Sequence, residues 1–387
     1  MVRTYAVLLM AVGCISACNG AEPSSDPLVR IDTIGGTVVV ESVPIAADTA
    51  RLRTRIGVSG ASGPKAAVFG RISSVTLSRE GTLFVADAQA NEVRLFSLDG
   101  AYVGAFGGPG QGPGEFGDLY SLGWLADTLA AMDPGNARIS LHSEDGAYLG
   151  QRRWLAYSGP SSIIRLFSLP PGDLYTPYPS FDRDNPQHLF LRFRAGWLDP
   201  DTVGHPEEQR DVAGSLCRLP GGGISFFANP FAPRNIVVPG PGRTIVSAGT
   251  AEGKAVLWNE AGDSIRVWSV GEKPGAFPAA VWDSVTAEYA AYRAENPGAD
   301  CEPDGFVRPA ELPRLSGMFF TREGLLVMER PRAGGTRFDF FDAYGVLEQR
   351  VDLPERDPRV APEFVGRRIL LVEKDEFDVQ YVALYER

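Results

Sequence analysis

The chain has 387 residues, which exceeds a typical single domain and leaves either two domains or one large repetitive architecture. Its formal net charge of −11 creates a field that repels nucleic acid and anionic lipid, and no basic run interleaved with aromatic residues offsets it. Nucleic acid is therefore not expected as a partner. The 44 glycines and 30 prolines predict many turns and short elements in place of long helices.

The first 18 residues, MVRTYAVLLMAVGCISAC, predict an export signal. Arg3 precedes an apolar run that ends at Ile15, and this run is too short to form a lasting transmembrane helix. The ending Ile15-Ser16-Ala17-Cys18 resembles the lipobox of bacterial lipoproteins, in which the cysteine is acylated and becomes the new N-terminus. An ordinary secretory signal with two incidental cysteines, Cys14 and Cys18, is the alternative.

The lipobox resemblance implies a membrane anchor on Cys18, because each buried CH₂ of an acyl chain contributes about 0.8 kcal/mol. Residues 19–27 are then a flexible tether. Asn19 stands where some bacterial sorting rules place an inner-membrane retention aspartate. We therefore expect an exported protein that is lipid-anchored to the bacterial cell envelope, with the outer membrane favoured over the inner membrane.

Two segments form the clearest internal repeat. Residues 72–106 and 122–149 each contain a strand, a second strand that ends in aspartate, and a third strand followed by an Asp-Gly turn. Asp133 lies 46 residues after Asp87, and the Asp-Gly turns are offset by the same number. Because Asp-Gly between alternating runs is a strong hairpin signal, each unit is predicted to be a four-stranded antiparallel blade of a β-propeller.

Fainter copies of the unit follow at residues 163–197, 235–270 and 315–351. The tail from Gly366 supplies only two strands, while the strands Val29–Ile34 and Thr37–Val43 have no other assignment. We expect strands from both chain ends to complete the last blade, since this closure leaves no open sheet edge. Residues 28–387 are thus predicted to form an all-β, six-bladed β-propeller.

Two segments interrupt the repeat. Residues 278–296 carry four apolar or aromatic residues at helical spacing, Val281, Val285, Tyr289 and Tyr292. They predict a helix within an insertion over residues 278–308, between the fourth and fifth blades, with Trp282 and the tyrosines packed against the ring. Residues 199–220, charged and proline-rich, are predicted to be a second insertion. Insertions on propellers collect on one face, where they can wall a site.

The stretch GGPGQGPGEFG, residues 107–117, contains the dinucleotide fingerprint G-x-G-x-x-G. That fingerprint requires a helix directly after the glycines, because the helix N-terminus binds the pyrophosphate. The segment that follows from Asp118, DLYSLGWLADTLAAMD, is instead typical of strand, turn and strand. The glycines are therefore predicted to form a crossing from the outer strand of one blade to the inner strand of the next, with Phe116 as a wedge between blades.

The segment LFVADAQANEVRLFSLDGAYVGAFGGPGQGPGEF, which begins at Leu83, resembles an NHL-type propeller repeat. With the lipobox, the helical insertion and the ending DEFDVQYVALYE, it makes the chain similar to bacterial six-bladed β-propeller lipoproteins. The resemblance covers the mature chain and is strongest over residues 72–116 and after Leu315. It implies the architecture and brings no catalytic residue set. The third and fourth blades lack the Val-Ala-Asp and Asp-Gly cues.

If Cys14 is cleaved off and Cys18 is lipidated, the folded part keeps only Cys217 and Cys301. A periplasmic location permits a disulfide between them. Both cysteines lie in irregular segments that flank one predicted sheet, and a bridge and two buried free thiols remain alternatives. Their separation matches no metal-site spacing.

Asp87 and Asp133 end the second strands of their units and are the candidates for binding a divalent cation in the central channel. An aspartate at this position more commonly accepts backbone N–H groups and orders the turn, so no metal or other cofactor is predicted. The three histidines, His142, His188 and His205, are expected in packing or surface roles. No catalytic residue is predicted, since the chain has no G-x-S-x-G motif.

These observations predict a monomeric, non-catalytic binding or scaffolding module whose ligand is an envelope protein, a peptide or a glycan. The alternative is a metal-dependent hydrolase or lyase of the lactonase or NHL-lyase type that acts at the mouth of the central channel. Three converging carboxylate or asparagine side chains at a channel mouth would favour the enzyme. An aromatic-rich face would favour the binding module.

Overall fold

The computed structural model describes residues 29–57, 65–154, 165–178, 187–196, 199–208, 214–229, 231–301 and 307–387. Within these ranges the chain forms 30 strands, one α-helix and two 3₁₀ turns, Lys65–Ala67 and Pro134–Asn136. The predicted signal peptide, the lipidation site Cys18 and the tether lie outside the described residues. Among the described helices, none combines the length and the apolar character needed to cross a membrane.

Four strands precede the repeat: β1 (Val29–Ile34), β2 (Thr37–Ser42), β3 (Asp48–Thr49) and β4 (Arg51–Ile56). The first sheet contains β5 (Ile72–Leu77), β6 (Leu83–Asp87), β7 (Glu92–Phe96) and β8 (Tyr102–Gly107). The second sheet contains β9 (Ser121–Leu125), β10 (Thr128–Asp133), β11 (Arg138–His142) and β12 (Tyr148–Arg153). In both sheets the strands pair antiparallel in chain order, as the aligned repeat predicts.

The third sheet contains β13 (Phe167–Leu169), β14 (Asp173–Tyr178), β15 (Gln187–Phe193) and β16 (Asp201–Glu208). Residues 201–208 were predicted to lie within an insertion, and that prediction is wrong because they pair with β15 as its outer strand. An outer strand has one unpaired edge that faces solvent, so it tolerates proline and charged residues. Such residues interrupt the alternation of apolar and polar residues by which a strand is predicted.

A small sheet and the fourth sheet follow. The small sheet begins with β17 (Gly214–Arg218) and β18 (Ile224–Ala228). The fourth sheet contains β19 (Asn235–Pro239), β20 (Ile245–Gly249), β21 (Lys254–Trp258) and β22 (Ser264–Val270). The single described α-helix, α1 (Ala279–Glu295), comes next, and β23 (Asp300–Cys301) returns to pair with β17. The helix therefore lies between the fourth and fifth units, where the sequence predicts it.

The fifth sheet contains β24 (Gly317–Phe320), β25 (Leu326–Arg332), β26 (Gly335–Phe341) and β27 (Leu347–Leu353). The sixth contains β28 (Glu363–Val365), β29 (Arg368–Lys374) and β30 (Gln380–Glu386), and β4 completes it by pairing antiparallel with β30. The prediction that Val29–Ile34 and Thr37–Val43 complete the last unit is wrong. The β1–β2 hairpin instead extends the fourth sheet through a parallel pairing of β2 with β22, and β3 pairs with β27.

The strand that does complete the sixth sheet, β4, has the sequence RLRTRI. Only Thr54 and Ile56 are buried, while its arginines and Leu52 face solvent. Because β4 is an outer strand with one buried face, its apolar signal is short and the arginines hide it from a search for hydrophobic alternation.

Six hydrophobic clusters fill the spaces between consecutive sheets. One cluster joins the first and second sheets, and the next four join each later pair up to the fifth and sixth. The last cluster joins the sixth sheet to the first through residues such as Val382 and Val75. The molecule is thus nearly all β, with several four-stranded antiparallel sheets in an arrangement consistent with a propeller.

The glycine-rich stretch connects β8 to β9 and contains no helix. Gly107 has φ of +100°, and a Cβ at this residue would lie 2.6 Å from the Phe116 ring, so only glycine fits. The Phe116 side chain is fully buried in the cluster between the first and second sheets. The predicted crossing and its aromatic wedge are both confirmed.

Each sheet has one end at which its first and third strands begin and its second and fourth strands end. The pairings of Ile72 with Asp87 and of Glu92 with Gly107 show this end in the first sheet. These ends of neighbouring sheets contact one another: the Leu166 N–H, just before the first strand of the third sheet, donates to Ser121 Oγ at the start of the first strand of the second sheet (3.1 Å). We call the surface formed by these ends the crossover face, and the opposite surface the turn face.

Candidate functional site

Asp87, one of the two predicted metal candidates, is buried at the crossover end of the first sheet. Its carboxylate accepts hydrogen bonds from the backbone N–H groups of Gly70 (3.0 Å) and Arg71 (3.2 Å), which lead into β5. The Arg94 guanidinium lies 3.1 Å from the same carboxylate. Asp87 therefore fixes the start of the inner strand, which is the structural role that its sequence position favours.

Asp133, the other candidate, has the same role in the second sheet. It is fully buried and accepts the N–H groups of Gly117 (3.0 Å) and Asp118 (2.8 Å) at the end of the crossing. Asn136 Nδ2 (2.7 Å) and Arg138 Nε (3.3 Å) also donate to it. Arg138 in turn donates to three carbonyl oxygens of the crossing, those of Gln111, Gly112 and Glu115.

Across the part of the chain that the structure describes, no three His, Cys, Asp or Glu side chains lie close enough together to hold a metal ion. His142 is buried on β11, where its ring packs 4.6 Å from the Phe106 ring and close to Tyr148. Burial lowers the pKa of His142, and the charge of Arg138 lowers it further. The side chains of His188 and His205 lie outside the described residues.

Two segments are inserted between sheets: one carries β17 and β18, and the other carries α1 and β23. Each follows the fourth strand of one sheet and precedes the first strand of the next, so both emerge from the crossover face. Cys217 of β17 and Cys301 of β23 pair across the small sheet and form a disulfide. Tyr289 and Tyr292 of α1 pack on Phe227 of β18, with ring centroids 5.3 and 4.8 Å away. The predicted packing of these tyrosines against the ring is therefore wrong, since the small sheet gives the helix its own partner.

First strands of neighbouring sheets contact one another, as β5 does with β9 and β28, and β19 with β24; we call the region where they meet the centre. On the turn side, Trp124 Nε1 donates to Thr76 Oγ1 (2.9 Å), and this hydroxyl donates to Glu363 Oε1 (3.1 Å). Arg322 forms an ion pair with Glu363 and lies over the Trp124 ring. These four side chains come from four different sheets or their turns, and their one positive and one negative charge compensate each other.

On the crossover side of the centre, four charged side chains form what we call the axial cluster: Arg165, Arg234, Glu329 and Arg356. Arg356 and Glu329 form a buried bidentate ion pair, with N–O distances of 2.5 and 2.9 Å. Burial lowers the pKa of both Arg165 and Arg234, and the negative charge of Glu329 partly opposes this lowering. The cluster therefore contains one carboxylate and three guanidinium groups.

Arg165 lies between aromatic rings from two sheets, 4.2 Å from the Phe167 centroid and 5.1 Å from that of Phe319. Its Nη2 donates a 3.4 Å hydrogen bond to the Met318 carbonyl, and its Nε is buried without a partner among the described residues. Burial lowers the pKa of Arg165 to about 9, and the charge of Arg356 contributes. Guanidinium desolvation of this kind is offset when an anion binds.

A cleft beside the axial cluster has a cavity volume of about 70 Å³ and opens on the crossover face. We call it the apolar cleft; its lining includes Phe231, Leu315, Pro313 and Pro331, together with Arg234. Phe231 also packs 4.7 Å from Phe277, which precedes α1. The segment that leads into α1 thus packs against a residue that lines the cleft.

No residue of the axial cluster is predicted from the sequence. One signal was available, since an arginine stands one to three residues before the inner strand in four of the sheets: Arg71, Arg165, Arg234 and Arg314. The convergence of such arginines depends on how the sheets are arranged, and neither strand register nor sheet order could be read from local patterns.

The chain matches no protein-family model and no curated protein. Among solved structures, it is similar to a Bacteroides fragilis protein described as exported, with 11% identity, a TM-score of 0.46, and coverage of 90% of this chain and 98% of that one. It is also similar to virginiamycin B lyase from Staphylococcus aureus, with 12% identity, a TM-score of 0.39, and coverage of 82% and 94%.

Proposed function

We propose that this protein is a lipid-anchored, extracytoplasmic six-bladed β-propeller that binds a ligand on its crossover face without converting it. The propeller is supported by the six hydrophobic clusters, each of which is shared by two consecutive sheets, and by the pairing of β4 with β30. Such a ring leaves one mouth on each face, and the charged side chains described at the two mouths differ in net charge.

The observation that carries the binding site is the excess of guanidinium groups in the axial cluster. Arg356 already engages both oxygens of Glu329, so Arg165 and Arg234 have no carboxylate in contact among the described residues. Among the described residues at the turn side of the centre, the cation Arg322 is paired with Glu363. The crossover mouth, which the inserted helix and the apolar cleft adjoin, is therefore the binding mouth.

Calorimetric titration of envelope components tests this function. Peptidoglycan fragments, lipopolysaccharide and short peptides are titrated into the purified protein, and each bound component is recovered for mass spectrometry. We expect binding that Arg165→Gln/Arg234→Gln weakens at least tenfold, while Arg79→Gln, which alters an exposed ion pair with Asp127 on the turn face, leaves it unchanged. A recovered component with altered mass would support the hydrolase or lyase alternative instead.

The proposed anchor depends on Cys18, which follows Ile15-Ser16-Ala17. Two acyl chains or more provide stable membrane attachment, whereas a single chain binds reversibly. We expect Cys18→Ser to move the protein from the membrane fraction to the soluble fraction and to abolish labelling with radioactive palmitate. Cys14→Ser is the matched control and keeps both. Membrane retention of the Cys18→Ser protein would contradict lipidation at this residue, and density-gradient separation of the membranes tests the outer-membrane location.

A further inference from the structure

A second cleft, a shallow one with a cavity volume of about 20 Å³, opens beside the apolar cleft, between the fourth and fifth sheets. We call it the arginine cleft, because four of its ten lining residues are cationic: Lys273, Arg314, Arg330 and Arg332. Glu272 is its one acidic lining residue. The two clefts share Pro313 and Pro331, so one ligand can contact both.

The carboxylates around the arginine cleft are already engaged by arginines. Glu272 accepts hydrogen bonds from Arg332 (2.6 Å), from Arg337 (3.3 Å) and from Arg350. Asp339 is fully buried and contacts both Arg330 and Arg350, and Asp352 contacts Arg337. With Lys273 and Arg314, this network contains six cations and three carboxylates, an excess of three positive charges in a chain with a net charge of −11.

Two guanidinium donors in this network lack partners. The Arg330 residue is only 6% exposed, and its Nη2 has no hydrogen-bond partner among the described residues. Arg332 Nε is likewise buried without a partner. Unsatisfied charged donors are costly, and the planar fork of a guanidinium group matches the two oxygens of a carboxylate or a phosphate.

We propose that the arginine cleft binds the oxyanion group, carboxylate or phosphate, of a ligand whose apolar part lies in the adjoining apolar cleft. The proposal rests on the proposed function and names the chemical class of its ligand. An oxyanion supplies the missing negative charge and the acceptors for the free N–H groups. Phe231 and Leu315 then cover the apolar part of the same ligand.

Calorimetry with four small probes tests the proposal: inorganic phosphate, phenyl phosphate, benzoate and the neutral benzyl alcohol. Phenyl phosphate or benzoate should bind most tightly, inorganic phosphate at least tenfold more weakly, and benzyl alcohol not measurably. Affinity should fall as salt increases, because the attraction is electrostatic. The stronger of the two aromatic probes identifies the oxyanion as phosphate or carboxylate.

Two variants separate the parts of the site. Lys273→Gln/Arg332→Gln should weaken every anionic probe at least tenfold, and it leaves Glu272 paired with Arg337 and Arg350. Phe231→Ala should weaken only the aromatic probes. Arg79→Gln removes one positive charge from the turn face and should change nothing. An unchanged melting temperature for each variant shows that the fold is retained.

Two results would overturn the inference: binding of benzyl alcohol as tight as that of benzoate, or anion affinities that the double variant does not change. Failure of the proposed function is distinguishable from both. A neutral envelope component that binds the axial cluster would leave the function standing and refute the anionic ligand class. Chemical conversion of a bound anion would refute the non-catalytic function and leave the oxyanion site standing.

Discussion

The first and fifth sheets contain the same buried ion pair with its charges exchanged. In the first sheet the acid is Asp87 on β6, and its cation, Arg94, stands two residues beyond the β7 residue opposite Asp87. In the fifth sheet the cation is Arg330 on β25, and Asp339 stands two residues beyond the β26 residue opposite Arg330. The register is identical, although the second strand carries a carboxylate in one sheet and a guanidinium in the other.

The exchange of charge changes how each sheet fixes its incoming chain. Asp87 accepts N–H groups of the segment that leads into β5, whereas Arg330 donates to the Arg314 carbonyl (2.9 Å) of the segment that leads into β24. A carboxylate is saturated by these contacts, but Arg330 retains a donor without a partner. The pair is electrically neutral in both sheets, but in the fifth sheet it leaves a buried guanidinium donor without a partner among the described residues.

Asp339→Asn should have the largest effect on stability. Asp339 is fully buried between Arg330 and Arg350, whose side chains are 7% and 1% exposed, so its loss leaves two buried cations without their shared carboxylate. We expect the free energy of unfolding in urea to fall by about 3–5 kcal/mol. Asp352→Asn is the matched control, since its half-exposed carboxylate contributes less than about 1 kcal/mol. An equal loss of unfolding free energy in the two variants would show that the burial of Asp339 between two arginines does not stabilise the fifth sheet.

Asp87→Asn should cost less, about 1.5–3 kcal/mol, because the amide keeps one acceptor and only one cation loses its partner. Arg94 retains an ion pair with Glu92 (2.5 Å) and a hydrogen bond to the Ala66 carbonyl. Urea unfolding measures the loss, and faster hydrogen exchange at Gly70 and Arg71 locates it at the start of β5. Unchanged exchange at these two amides would show that Asp87 does not fix the incoming chain.

The smallest effect on stability is expected from His142 in the second sheet. Unlike Arg94 and Arg330, this buried titratable group has no carboxylate partner among the described residues. Its pKa is lowered in the folded protein, so below pH about 6.5 the unfolded chain takes up a proton that the folded chain does not. The free energy of unfolding should therefore fall as the pH drops from 7.5 to 5.5, by at most about 1.4 kcal/mol per pH unit from this group. His142→Gln should flatten this dependence; an equal slope in both proteins would exclude His142 as its source.

The sequence by itself determined the elements whose signals are local. Alternating strands and Asp-Gly turns predicted β6–β8 and β10–β12, and the missing helix after Gly117 predicted the crossing. It also placed Asp87 and Asp133 at strand ends, where their backbone contacts are a property of neighbouring residues.

The tertiary structure alone decided which strand completes the sixth sheet and which charges meet. An outer strand such as β4 buries one short face, so its sequence carries little apolar signal. Arg165, Arg234 and Arg356 are far apart in the chain and come together only because the sheets next to which they lie pack side by side. Electrostatic attraction depends on distance in space, and that distance is fixed by sheet order and register, which local sequence patterns do not encode.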